Sequence, residues 1–363
     1  MIFKRIYSLD ALKCLATTLI VFHHYQQTFH DIPGRRIAFY GGSFFFGYLV
    51  ELFFLISGFL IFKYEKRIQE GLSFRRFFFR RYLRLLPLMV LSTTFYMLLT
   101  CGFFFDTFRL TGEVRGLMIT EKPSVWGWLI TCLGLQAGWG LENPCLNNPL
   151  WYISVLLACY LFFFLFVRLA ARLRVSPRFF YAGMLLLGLS LSRHAYGNLP
   201  FLTGEMGRGY CSFFPGLLLA AFWENRQIDR RAVGLCLIIP IGFLLGFATD
   251  YGRALLKPGM SQLLSLLVWP ALVTLVLSEP AQRLFCSPKL GTLGAVAFDV
   301  YSWHDCANLL FVILGETFSW NPFFFSVRGM LVCAVCVWLF GAFSHFCIEK
   351  PLARYTDRLL EKR

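Results

Sequence analysis

The amino-acid sequence predicts an all-α integral membrane protein: a polytopic bundle of about 10 transmembrane helices with one short re-entrant or interfacial helix. Three observations predict it. Apolar residues make up 57% of the 363 positions and charged residues 15%, with a mean hydropathy of +0.61. Several apolar runs exceed the about 18 residues at which a helix becomes long enough to cross the hydrocarbon layer. The basic residues fall between these runs, where cytoplasmic loops of membrane proteins gather Lys and Arg. The net charge of +15 therefore reads as topology, not as a nucleic-acid surface.

Apolar runs place spans at about 9–29, 44–62, 85–105, 150–167, 179–195, 210–223, 232–249, 260–277, 290–314 and 323–347. The first run follows a basic N-terminus, with no small-residue cleavage site behind it, and is expected to be a retained span. An eleventh stretch, 125–140 ("VWGWLITCLGLQAGWG"), is short and interrupted by Gly and Gln. With ten crossings and both termini inside, most of the 35 Lys and Arg lie on the cytoplasmic side. The densest groups are Lys63 to Arg84, Arg168 to Arg178 and Lys350 to Arg363. If 125–140 also crossed, the Arg168 group would move outside, so that stretch is expected to be re-entrant or interfacial. Outer loops are short, and residues 1–363 are expected to form a single transmembrane domain. The 12 cysteines sit almost entirely within apolar runs, where free Cys acts as a small hydrophobe. Cys333 and Cys336 form a CxxC without partner ligands, and no metal is expected.

The first span carries "LDALKCLATTLIVFHH". A helix turns about 100° per residue, so the eleven steps from Lys13 to His24 return to within about 20° of the same direction. Thr17, Gln27 and Asp31 fall close to that direction and Asp10 within about 40°, whereas His23 points roughly 100° away. Ionisable groups in a span are costly and usually face a bundle interior or a watery cavity. The stripe Asp10–Lys13–Thr17–His24–Gln27 therefore predicts a functional cavity.

A second histidine lies in "VAFDVYSWHDCANLL", where His304 shares a helix face with Tyr301 and Asn308 while Asp299 and Asp305 point elsewhere. His24 and His304 both fall roughly 21–23 Å from the inner boundary at about 1.5 Å per residue, and Glu51 lies at a similar depth. Three titratable groups at one level predict a reaction or transport site nearer the outer face.

The stretch "SFRRFFFRRYLRLLPL" opens the third span. Arg75 and Arg76 read as positive-inside anchors. Arg81 and Arg84, three residues apart on one face, have guanidinium forks suited to phosphate or carboxylate.

These residues resemble the membrane-bound acyltransferase 3 family. Lys13 and His24 match the spacing of an Arg and a His in the family's first span. "FFLISGF" (Phe53 to Phe59) matches a phrase of the second, and Arg81, Arg84 and Pro87 match RxxR and a proline at the start of the third. "PLWYIS" around Trp151, "VYSWH" ending at His304 and "EKP" (Glu349 to Pro351) follow in family order over nearly the whole chain. Two departures stand out. Lys13 replaces the usual Arg, which keeps charge but loses the fork, and no Glu follows Trp151. The chain thereby resembles the branch that includes acetyltransferases of surface carbohydrates, and no C-terminal hydrolase-like domain is expected.

The resemblance implies transfer of an acetyl or other short acyl group from cytosolic acyl-CoA, acetyl-CoA first among donors. The implied acceptor is a hydroxyl of an extracytoplasmic or lipid-linked glycan of the lipopolysaccharide O-antigen, capsule or exopolysaccharide type, at the bacterial inner membrane. His24 is the candidate base for the acceptor hydroxyl, with a transient acyl-His also open; His304 is a weaker candidate for orienting the acceptor or sharing the proton. Arg81 and Arg84 are candidates for the donor phosphates, with Lys13 and Asp10 as an ion pair lining the donor path. Glu51, Tyr301, Asn308 and Trp151 are candidates for the acceptor cavity, Trp151 also being suited to interfacial packing. Ser57 and Gly58 read as close-packing residues between helices, and Glu349 as an interfacial end to the last span. The rival readings are a transporter or flippase, which also uses buried His and Glu, and a non-catalytic scaffold.

Overall fold

The computed structural model describes residues 5–30, 46–101, 124–141, 146–194, 197 and 199–361. Among these residues there are helices and no strands, as an apolar environment demands when backbone groups must be satisfied within each segment. We label the principal helices α1 (Tyr7–His30), α2 (Leu49–Ile61), α3 (Arg80–Thr100), α4 (Val125–Cys132), α5 (Trp151–Leu173), α6 (Arg178–Leu191), α7 (Gly204–Trp223), α8 (Arg230–Phe247), α9 (Met260–Leu277), α10 (Pro288–Thr317), α11 (Val327–Ser344) and α12 (Lys350–Glu361).

A helix occupies each of the ten expected spans. Six helical stretches among the described residues are long and apolar enough to cross a membrane: Phe46–Gln69, Arg75–Thr100, Asn148–Leu173, Arg230–Phe247, Met260–Leu277 and Val327–Thr356. α1 and α10 have the length, at 24 and 30 residues, but carry the polar side chains already noted. α4, in the stretch expected to be re-entrant or interfacial, has 8 residues and reaches about 12 Å, too short to cross.

Helix starts follow local chemistry. Ser124, Thr203, Asp229 and Ser326 each accept a hydrogen bond from a backbone N–H in the first turn of α4, α7, α8 and α11. These are side chains that satisfy otherwise orphaned donors. α3 and α12 are each preceded by a turn of π-helix, Arg75–Phe79 and His345–Glu349.

The chain divides into two compact units. The first comprises Met1–Lys13, Tyr48–Phe78 and Val155–Gly294; the second comprises Cys14–Gly47, Phe79–Ser154 and Ala295–Arg363. In the first, α2 and α7 meet at Gly58 and Gly216, where a Cβ would collide with the backbone carbonyls of Phe213 and Leu55. That close approach is the use of glycine expected between membrane helices, and Ser57 belongs to the same contact stretch. α8 has no buried residue, the pattern of a helix whose sides face lipid. In the second unit, Val21, Tyr25, Val300, Val312, Cys333 and Val337 form the apolar core of α1, α10 and α11. Gly341 of α11 lies against the backbone of Val300, and Trp128 Nε1 of α4 donates to Thr94 Oγ1 of α3 at 2.9 Å.

Candidate active site

The second unit brings His24 and His304 together, with ring centroids 5.0 Å apart and planes inclined at 49°. Tyr301, His304 and Asn308 stand at i, i+3 and i+7 on α10, hence on one face, and all three are buried. His304 Nδ1 lies 2.6 Å from the Tyr301 carbonyl oxygen. A carbonyl only accepts, so Nδ1 carries the proton and a neutral ring leaves Nε2 with its lone pair open. That Nε2 is fully buried and has no hydrogen-bond partner among the described residues. His24 is half-buried, and the His23 ring stands edge-on to it at 5.5 Å.

The neighbours divide by what their polar atoms already do. Asn308 Oδ1 accepts from Cys333 Sγ at 3.6 Å, while its Nδ2 has no partner among the described residues. Tyr301 donates its hydroxyl to the Pro149 carbonyl at 2.7 Å, fastening the turn before α5 to α10. Trp151 is half-buried at the start of α5. Gln27 is exposed, and Thr17 is buried with an unpartnered hydroxyl among the described residues. Asp31 and the segments 31–45 and 102–123 lie outside the described residues.

Asn147 and Gln136 join this region although sequence reasoning did not select them. Asn147 has φ 47; its Nδ2 donates to Ser92 Oγ at 3.0 Å and to the Ser302 carbonyl at 3.4 Å. Gln136 Nε2 donates to the Asn148 carbonyl at 3.1 Å. The buried Asn147 Oδ1 and Gln136 Oε1 have no partner among the described residues. The available signal was the Asn-Asn-Pro run at 147–149, since asparagine tolerates left-handed backbone and proline suits a helix start.

A second polar cluster, also missed, surrounds Glu349. Arg84 Nε donates to Glu349 Oε1 at 2.7 Å, and Glu349 Oε2 lies 2.5 Å from His345 Nδ1. The same Nδ1 is 3.1 Å from Asp299 Oδ2, and Ser344 Oγ donates to Asp299 Oδ1 at 2.9 Å. Glu349 is therefore not the interfacial terminus expected from its place beside Lys350 and Pro351: it is 2% exposed, because the preceding π-turn points His345 and Glu349 inward together. Asp299, His345 and Glu349 offer ligand atoms within 4.8 Å of one another, the spacing of a metal site. Glu349, however, is already paired with Arg84, and one imidazole nitrogen faces both acids. Arg81 is half-buried on the first turn of α3.

The remaining candidates belong to the first unit. Asp10 receives Arg5 Nε at 2.8 Å and Lys13 Nζ at 3.2 Å. Glu51 is fully buried and held bidentately by Arg208, Nε to Oε1 at 2.7 Å and Nη2 to Oε2 at 3.0 Å. Ser261 Oγ adds a third bond to Oε1 at 3.1 Å.

Helices long and apolar enough to cross a membrane, with no strand among the described residues, define a polytopic membrane protein, and its second unit places two imidazoles side by side. Residues 6–345 match the family model described as an acyltransferase domain, of the acyltransferase 3 type; the chain belongs to that family and is an acyltransferase. It is also similar to a protein named acyltransferase MdmB from Streptomyces mycarofaciens, with 25% identity over 344 residues that cover 85% of this chain and 81% of the relative. No solved structure matches it.

Proposed function

We propose that this acyltransferase moves an acetyl group, or another short acyl group, from cytosolic acyl-CoA to a hydroxyl of an extracytoplasmic or lipid-linked glycan in the bacterial inner membrane. The observation that carries the reading is the imidazole pair, 5.0 Å between centroids, with one Nε2 lone pair open and its tautomer fixed by the Tyr301 carbonyl. One imidazole takes the proton of the acceptor hydroxyl as its oxygen attacks the thioester carbonyl. The C–S bond then breaks, and the imidazolium returns that proton to the departing thiolate. The products are an O-acyl glycan and free CoA, with no net proton released. His24, partly exposed, meets the acceptor; His304 orients it and shares the proton. Two cationic rings at this separation repel, so the pair cycles one proton. Arg81 and Arg84 suit the donor phosphates.

The experiment uses the purified protein in lipid nanodiscs with acetyl-labelled acetyl-CoA and a candidate glycan. Label is expected on the glycan, with transfer abolished by His24→Ala in protein that still elutes as a folded species. Glycan movement across vesicles without label transfer overturns the reading in favour of a carrier.

A further inference from the structure

Arg84 and Glu349 differ in what each has left to offer. Glu349 is almost wholly buried, with Oε1 taken by Arg84 and Oε2 by His345. The Arg84 side chain is 58% exposed, and only its Nε is engaged; its Nη atoms make no hydrogen bond among the described residues. The carboxylate thus holds the guanidinium at Nε and leaves its two Nη amino groups, in the same rigid plane, on a side chain that solvent still reaches. His345 in turn fixes the carboxylate, Asp299 faces the same imidazole nitrogen, and Ser344 fixes Asp299. Ser344 also accepts from Trp303 Nε1 at 3.1 Å, on α10 next to His304. A long side chain left alone samples many rotamers; one locked by buried partners presents its fork without that entropic cost.

We infer that Glu349, His345 and Asp299 are positioning residues that hold Arg84 as a reader of an anionic group, a phosphate of the acyl-CoA donor. This rests on the donor assignment proposed above for Arg84. The chain Arg84–Glu349–His345–Asp299 carries the ligand-facing charge at one end and buried anchors along the rest. Planar, bidentate recognition of phosphate is the use for which a guanidinium held at Nε is shaped.

The test compares two donors: acetyl-CoA, and S-acetylpantetheine, which carries the same thioester arm without phosphates. In Glu349→Gln the KM for acetyl-CoA is expected to rise about tenfold, the loss of one charge-assisted hydrogen bond. The kcat and the acceptor KM should hold within about twofold, and the penalty should vanish with S-acetylpantetheine, which a positioning role requires. Arg84→Lys keeps the charge but has no Nε to be gripped, so it should show the same donor-selective loss and serves if Glu349→Gln fails to fold. Equal losses on both donors would reveal a structural role and overturn the inference, as would a wild-type KM in either variant while Arg84→Ala raises it. Should Arg84→Ala itself leave the acetyl-CoA KM unchanged, the donor assignment falls and the inference with it.

Discussion

The Glu51 site of the first unit and the His24–His304 site of the second are both buried and ionisable, yet they are built to opposite ends. Glu51 has three hydrogen bonds to its two oxygens, two from Arg208 and one from Ser261. Its charge is matched by Arg208, and each of its two oxygens already accepts a hydrogen bond. The histidines are matched only in part: His304 Nδ1 is committed to Tyr301 while its Nε2, Asn308 Nδ2 and Asn147 Oδ1 stay unpartnered among the described residues. Leaving buried polar atoms unpaired costs about 1–3 kcal/mol each, a cost the fold does not incur at Glu51. Burial of a titratable group in a span therefore does not by itself mark a functional site. Open valence does.

The largest expected effects, at the two histidines, test that distinction directly. His304→Ala removes the buried lone pair and is expected to lower kcat by a hundredfold to ten-thousandfold, the range of general acid–base catalysis, with a fall in Tm no larger than a truncated interior side chain brings. Initial rates and a Tm measured on the same nanodisc sample check it. A variant within about threefold of the parent in rate would place His304 among packing residues and leave His24 to act alone.

Glu51→Gln should behave in the reverse sense. Breaking a buried pair strands the partner charge, which costs about 3 kcal/mol, at the lower end of the usual range because Arg208 keeps some exposure. The expected result is a clear fall in Tm, while the protein that remains folded keeps its kcat. Glu51→Leu combined with Arg208→Leu should recover most of that stability, since replacing a buried pair by apolar groups is often neutral. A Glu51→Gln protein of normal Tm but lost kcat would place Glu51 in the acceptor cavity, as its costly position within a span suggests.

Much of this architecture was legible in the sequence. Each apolar run holds a helix among the described residues, six of these stretches being long and apolar enough to cross a membrane, and the Gly and Gln in 125–140 marked the short α4. Helical arithmetic put Tyr301, His304 and Asn308 on one face and separated His23 from His24. What stayed hidden was pairing across sequence distance. Nothing in "EL" at 51–52 or "GRG" at 207–209 announces that Glu51 and Arg208 bind each other 157 positions apart. Glu349 looked interfacial because its neighbours are Lys and Pro. Only the π-turn at 345–349 rotates it inward beside His345 and Asp299, and a one-residue widening of a helix leaves no clear mark in hydrophobic periodicity.

The smallest expected effect belongs to His23, and it sharpens the comparison within one helix. His23 and His24 are adjacent, both ionisable, and their rings are 5.5 Å apart. His23 is the more buried of the two, so a criterion based on burial alone ranks it first. Helix geometry turns it about 100° from the direction of His24, and the ring that approaches His304 is that of His24. His23→Ala should then trim packing, costing about 1–2 kcal/mol as a truncated interior side chain, while kcat stays within about threefold of the parent. Paired measurement of Tm and kcat for His23→Ala and His24→Ala decides it. If His23→Ala proved the more damaging to kcat, the catalytic face of α1 would lie a third of a turn from His304, and open valence at His304 would have lost its partner.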